Sequence, residues 1–276
     1  MRLLLVVLTL ISFGALAQVN PHLYSVTREG LKPSFLFGTV HIIVPAEEFP
    51  DYFWRAFDSR GHNAFEILTE DEAFSKAAPP SPLINEYRPD PSENAKRQLR
   101  LRGLPDYLFR SPYVCTFYFG WEPRQIPYLD RMLEIRARER QHNLIALDKP
   151  TDTGAVAMIH ETAEKCDIEQ LTQMFSAERL IKSDQEFLNH YRSGHPENGI
   201  YNCQLGSDCE RRTLSWLDPI ETLLRKDSGA FVSVGVAHLG GAHGLIGELQ
   251  MRGYKVERIK SPEQIESILK LNSSRP

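Results

Sequence analysis

An apolar run, a glycine, two residues and a histidine occur twice, near opposite ends of the chain. The copies are Phe35-Leu36-Phe37-Gly38-Thr39-Val40-His41 and Phe231-Val232-Ser233-Val234-Gly235-Val236-Ala237-His238. A short run rich in Phe and Val reads as a strand of a covered sheet. A glycine at its end lets the backbone turn or approach another group closely. One copy alone would be a core or loop histidine. Two copies in the same strand context predict two strands that each deliver an imidazole to one site, because ligands of open α/β sheets sit beyond the carboxyl ends of the strands. Neutral imidazole is both a metal ligand and a general base.

Strand and helix patterns alternate at both ends of the chain, and the middle is mostly helical. The expected fold is therefore α/β, a mixed central sheet with a helical insert roughly over residues 91–200. The first half predicts a hairpin (Leu23 to Thr27, Pro33 to Gly38), an aromatic helix from Asp51 to Phe57 and a strand from Asn63 to Leu68. Five prolines between Ala77 and Pro91 forbid regular structure there. Helices are expected over Pro91 to Arg102, Pro127 to Arg140 with a Glu134/Arg138 pair, Thr153 to Cys166, and Ile168 to Tyr191 without a break. A strand from Leu144 to Leu147 leads into Asp148. The helix after Asp208 should kink or break at Pro219. Leu245 to Arg252, Lys255 to Ile259 and Glu263 to Leu271 then read as helix, strand, helix.

The first 17 residues have a separate purpose. Arg2 precedes a short apolar core from Leu3 to Phe13, and Ala15-Leu16-Ala17 is a small-x-small cleavage signal, so residues 1–17 read as a signal peptide and 18–276 as one mature domain. The apolar core is shorter than the roughly 20 residues that span a bilayer. No later stretch is apolar enough to cross one, so a periplasmic or secreted protein is expected. Four cysteines fit an oxidising compartment. Cys203 and Cys209 bracket a short polar loop, which favours their pairing and leaves Cys115 with Cys166; a thiolate metal site is the competing reading, and no C-x-x-C spacing supports it. The net charge of -4 gives no basic footprint for nucleic acid.

Glu66 ends an apolar strand, where a carboxylate has no packing role. With His41 and His238 it would form a two-nitrogen, one-oxygen set suited to Mn, Co or Zn, which acidify a coordinated water toward neutrality. Glu210 and Arg211 open the helix before the second motif; Glu210 suits a helix N-terminus, and Arg211 or Arg212 could hold a substrate carboxylate or an oxyanion. Asp148 is a further candidate carboxylate or a helix cap. His160-Glu161 begins an H-E-x-x-H motif but lacks the second histidine, and no Gly-x-Ser-x-Gly elbow is present. His243 reads as a loop histidine; His22, His62, His142, His190 and His195 have no partners at metal spacing.

These residues resemble the TraB/GumN family, which is related to the TIKI proteases and more distantly to erythromycin esterase and ChaN-like proteins. The resemblance rests on Phe35 to Ile42, the strand ending at Glu66, Glu210-Arg211 with Trp216, and Val234 to Leu239 continuing through Gly244-Leu245 to Val256. It implies an α/β fold of two related halves and a site where the two Gly-x-x-His motifs meet. By similarity to the TIKI branch it also implies metal-dependent hydrolysis of a peptide or protein substrate. By position it carries over His41, Glu66, Glu210, Arg211 and His238 as site residues, with His41, Glu66 and His238 on the metal. Asp148 stands where the family usually has Glu, and His243 where Asp is usual. Two alternatives stay open: a metal-independent esterase-like hydrolase, in which a histidine activates water directly, and a non-catalytic periplasmic ligand-binding or regulatory protein, for instance of haem.

Overall fold

The computed structural model describes residues 19–40, 44–68, 89–111, 114–118, 129–148, 165–194 and 202–273. The expected signal peptide, His41, most of the proline-rich stretch, and all but the end of the helix expected from Thr153 to Cys166 lie outside the described residues.

The architecture is α/β, built on a six-stranded mixed sheet. Its strands are β1 (Leu23–Thr27), β2 (Ser34–Thr39), β3 (His62–Phe65), β4 (Asn143–Ala146), β5 (Phe231–Gly235) and β6 (Lys255–Arg258), in the order β4-β3-β5-β2-β1-β6. β1 runs antiparallel to both β2 and β6. β2, β5, β3 and β4 are parallel neighbours. The two motif strands are adjacent and in step, with Phe35 opposite Phe231 and Thr39 opposite Gly235. The ends of β2, β5, β3 and β4 thus lie along one edge of the sheet.

All six residues of β2 are buried, as are the first four of β5. Both faces of these central strands are covered, which explains runs of apolar residues with no polar alternation. Phe35, Phe37, Phe53, Phe57 and Phe231 form the aromatic heart of this core, with ring centroids 4.7–6.2 Å apart. Phe53 and Phe57 come from α1 (Asp51–Asp58), the expected aromatic helix.

The middle of the chain contributes α2 (Glu93–Leu101), α3 (Val114–Tyr118), α4 (Leu129–Glu139), α5 (Ile168–Met174) and α6 (Ala177–Ser193). The expected Glu134–Arg138 pair forms on α4, at 2.7 Å. The single helix expected from Ile168 to Tyr191 is two helices: Phe175 is extended, and the Ser176 hydroxyl accepts from the Arg179 amide to cap α6. An N-cap serine starts a new helix because its side chain satisfies a backbone N–H that has no partner within the helix. Leu99, Phe109, Val114, Cys115, Tyr118, Cys166 and Ala177 form a second, smaller core, which the Cys115–Cys166 disulfide crosses. The end of α6 docks on the sheet through Tyr191, whose hydroxyl donates to the Gly38 carbonyl at 2.8 Å, and through Arg192, which clasps Glu48 with two hydrogen bonds.

α7 (Asp208–Leu224), which carries Cys209 of the second disulfide, Cys203–Cys209, continues through Pro219, so of the expected kink or break the break does not occur. Proline removes the N–H that would reach residue 215 and its ring crowds that carbonyl, but Trp216, Leu217, Ile220, Leu223 and Leu224 bury α7 against the core on both sides of it and offset the cost. α8 (Leu245–Met251) and α9 (Pro262–Ser273) flank β6. No described helix is long and apolar enough to cross a membrane.

Candidate functional site

The glycines of both motifs are positions of close approach. A Cβ on Gly38 would stand 2.7 Å from Leu239 and 3.1 Å from Val236, the turn that follows β5. One on Gly235 would stand 3.0 Å from a Glu66 oxygen. The strands therefore end where the next element presses against their backbone, and a methyl group would push it away.

Past Gly235 the chain enters a 3-10 turn, Val236–His238, which drops His238 into a buried position at the carboxyl edge of the sheet. Glu66, one residue beyond β3, points to the same place. Its Oε1 accepts from the Gly235 amide at 2.5 Å and lies 3.5 Å from His238 Nε2. Its Oε2 accepts from Arg212 Nη2 at 2.8 Å. Arg212 also donates to Asp148, at 2.7 Å from Nη2, and Asp148 accepts from the buried Trp216 indole at 2.7 Å. The Trp216 ring lies 4.5 Å from that of His238 and beneath the Arg212 guanidinium.

Thr213 bears on which nitrogen of His238 faces Glu66 with its lone pair, through whether its hydroxyl proton goes to the Cys209 carbonyl or to Nδ1. The single hydroxyl proton of Thr213 is donated to the Cys209 carbonyl at 2.8 Å. Its oxygen, 2.6 Å from Nδ1, therefore accepts from Nδ1–H. In the neutral ring the Nε2 lone pair is then turned toward the Glu66 carboxylate. In that tautomer Nε2 and Glu66 Oε1 are two electron-pair donors 3.5 Å apart, a spacing that a proton or a cation can bridge.

The charge balance agrees. Burial works to lower the pKa of Arg212, but the charges of Glu66 and Asp148 and the hydrogen bonds to them outweigh it, so the guanidinium stays charged. Among the described residues, the carboxylates of Glu66 and Asp148 around the Arg212 guanidinium make this mostly buried cluster rich in anionic oxygen.

Among the expected residues, the structure brings Glu66 and His238 together. Glu210 and Arg211 lie on the first turn of α7, Arg211 exposed and the Glu210 side chain mostly buried. Arg211 pairs with Asp208 and donates to the Gly206 carbonyl at 3.1 Å. Glu210 accepts from the Gly206 amide at 2.5 Å and lies 3.6 Å from His243. His41 lies outside the described residues, two positions after the end of β2 next to β5.

Arg212, rather than Arg211, reaches the site, and Thr213 joins it unforeseen. Helical spacing holds the signal for both: Cys209, Arg212, Thr213 and Trp216 recur at i, i+3, i+4 and i+7, one stripe of α7, from which Arg211 is turned away. Both cysteine pairings are as expected, and Cys203–Cys209 lies against His238, each sulfur 3.6–3.7 Å from Nδ1.

Comparison with curated proteins and with solved structures finds no match. The TraB/PrgY/gumN family, in contrast, matches residues 22–258, a span that begins just before β1 and includes both motif strands, Glu66, α7 and the whole second motif. The chain belongs to the TraB/PrgY/gumN family.

Proposed function

We infer that this is an exported, metal-dependent hydrolase that cleaves peptide bonds, with its site at the carboxyl edge of β2, β5 and β3. The observation that carries the reading is the Glu66–His238 pair: a fixed lone pair facing a fixed carboxylate, in a buried site rich in anionic oxygen. That donor set fits a divalent ion of the Mn, Co or Zn class held by His238 Nε2, Glu66 and His41. When bound, such an ion supplies Lewis-acid polarisation and acidifies water.

The chain's own residues do the positioning. Thr213 fixes the His238 tautomer, as partners of the second nitrogen do for metal-ligating histidines. The Gly235 amide and Arg212 fix the Glu66 carboxylate, and Asp148 with Trp216 fixes Arg212. Arg211, on the solvent side of α7, is assigned to the mouth with Glu210 beside it, where they meet substrate before it reaches the buried pair. The two disulfides fit an oxidising compartment and support export.

A metal-free mechanism in which His238 is the base fits less well. Its Nδ1 is engaged by Thr213 and its Nε2 faces Glu66, so that reading rests on His41 alone.

The test is elemental analysis of the purified mature chain with Mn, Co and Zn offered in turn, beside His41→Ala and His238→Ala, followed by a peptide-cleavage screen. About one ion per chain, lost in both variants together with cleavage, is expected. A His238→Ala chain that keeps its metal and cleaves at the wild-type rate overturns the proposal.

A further inference from the structure

We propose that Cys203, Cys209 and His238 form a thiol-dependent metal site, closed while the cysteines are paired and opened by reduction. Tetrahedral zinc with Zn–S near 2.3 Å and Zn–N near 2.0–2.1 Å places each sulfur about 3.6 Å from the nitrogen and the two sulfurs about 3.8 Å apart. His238 Nδ1 already stands 3.6 Å from Cys203 Sγ and 3.7 Å from Cys209 Sγ. The three ligand atoms lie within 4.8 Å of one another. The sulfur–sulfur separation has to open, Thr213 has to release Nδ1–H, and that proton has to pass to Nε2, where Glu66 Oε1 stands 3.5 Å away to accept from it. Two thiolates and one imidazole leave a fourth position for water, and the thiolates select a soft, thiophilic divalent ion over the harder cations.

The position of the pair allows the opening. Cys203 and Cys209 are partly exposed, and Gln204, Leu205, Gly206 and Asp208 between them are exposed. Cys115 and Cys166 are 3 % and 8 % exposed, inside the helical core. Thiol–disulfide exchange needs access to a sulfur, so a dithiol reaches the 203–209 bond first. The step balances: the dithiol is oxidised to its disulfide, two electrons and two protons pass to the cysteines, and ion binding then releases two protons as the thiolates form. His238 is shared with the hydrolase site, so the ion would take its Nε2 lone pair from that site; that consequence alone rests on the reading above, and the binding does not.

The test uses the mature full-length chain, reduced by a dithiol or left oxidised, and titrated with cadmium chloride or zinc chloride alone. The reduced chain is expected to show a thiolate-to-cadmium charge-transfer band that the oxidised chain lacks. Iodoacetamide labelling with peptide mapping should find Cys203 and Cys209 protected by the ion. His238→Ala should weaken binding at least about tenfold. Cys203→Ser/Cys209→Ser should abolish the band. No band in the reduced wild type, protection of Cys115 and Cys166 instead, or unchanged affinity in His238→Ala each overturns the proposal. Metal held by the hydrolase site gives no thiolate band, so failure of one reading is visible apart from failure of the other.

Discussion

The two disulfides act on different states of the chain. Cys115–Cys166 spans 51 residues, is buried, and closes the helical core around Leu99, Val114 and Tyr118. Cys203–Cys209 spans 6 residues, is partly exposed, and rests on the ring of His238. In the loop-closure account the long ring removes about 4 kcal/mol of unfolded-chain entropy and the short one about 2. The large ring thus holds a fold that has only a small core of its own, whereas the small ring adds little stability and sits where chemistry is expected. A crosslink next to a site histidine is placed by function more than by stability.

The comparison breaks most visibly if the larger ring turns out to be dispensable. Cys115→Ser/Cys166→Ser is expected to lose about 4 kcal/mol in urea denaturation of the mature chain, with metal content per folded chain unchanged. Cys203→Ser/Cys209→Ser is expected to lose about half as much and to change the environment of His238. Equal losses, or metal content that follows the larger ring, would reverse the assignment of roles.

Arg212 sharpens the contrast from the side of the site. Arg212→Met leaves Glu66 and Asp148, with side chains 9 % exposed each, facing one another without their shared cation. Breaking a buried ion pair from one side costs about 3 kcal/mol. The loss should fall between those of the two double cysteine variants and should be accompanied by loss of metal, because Glu66 is no longer held. Arg211→Met, off the stripe and paired with exposed Asp208, should change stability by less than about 0.5 kcal/mol. Equivalent behaviour of the two arginines would mean that the stripe on α7 does not organise the site.

Much of this arrangement is legible in the sequence. Burial on both faces writes β2 and β5 as continuous apolar runs, and the Gly-x-x-His repeat marks their ends as a place of convergence. Glu66 stands out because a carboxylate closing an apolar strand has no packing purpose. The parts that were missed depend on what a linear pattern leaves implicit. Ser176 looks like any polar helix residue until its hydroxyl is seen to cap α6. Pro219 reads as a break because propensity is local, whereas the burial that carries α7 past it comes from the sheet. Thr213 carries no chemistry of its own type; it matters because the carbonyl four residues earlier takes its proton and leaves its oxygen for His238. Arg211 and Arg212 are adjacent and chemically identical, and only the phase of α7 tells them apart.

The smallest expected effect lies at the outer side of the small ring. His243 pairs with Glu248 at 3.0 Å and faces Glu210, which in turn holds the Gly206 amide inside the Cys203–Cys209 loop. The hydrogen bond to Glu248 raises the His243 pKa above the ordinary 6.5, desolvation opposes it, and the charges of Glu210 and Glu248 add to the rise. A histidine whose pKa is higher folded than unfolded contributes stability that is fully present below the unfolded value and is lost as pH rises through the folded one. The tie on the loop should therefore weaken on the alkaline side of 6.5, not the acid side. An NMR titration of the His243 ring should give a midpoint above 6.5, and Glu248→Gln should bring it down. Because the pair is exposed and screened by salt, the change in overall stability should be near the limit of detection. A midpoint at or below 6.5, or one that Glu248→Gln leaves in place, would detach His243 from the loop and leave the disulfide as the tie between that segment and His238.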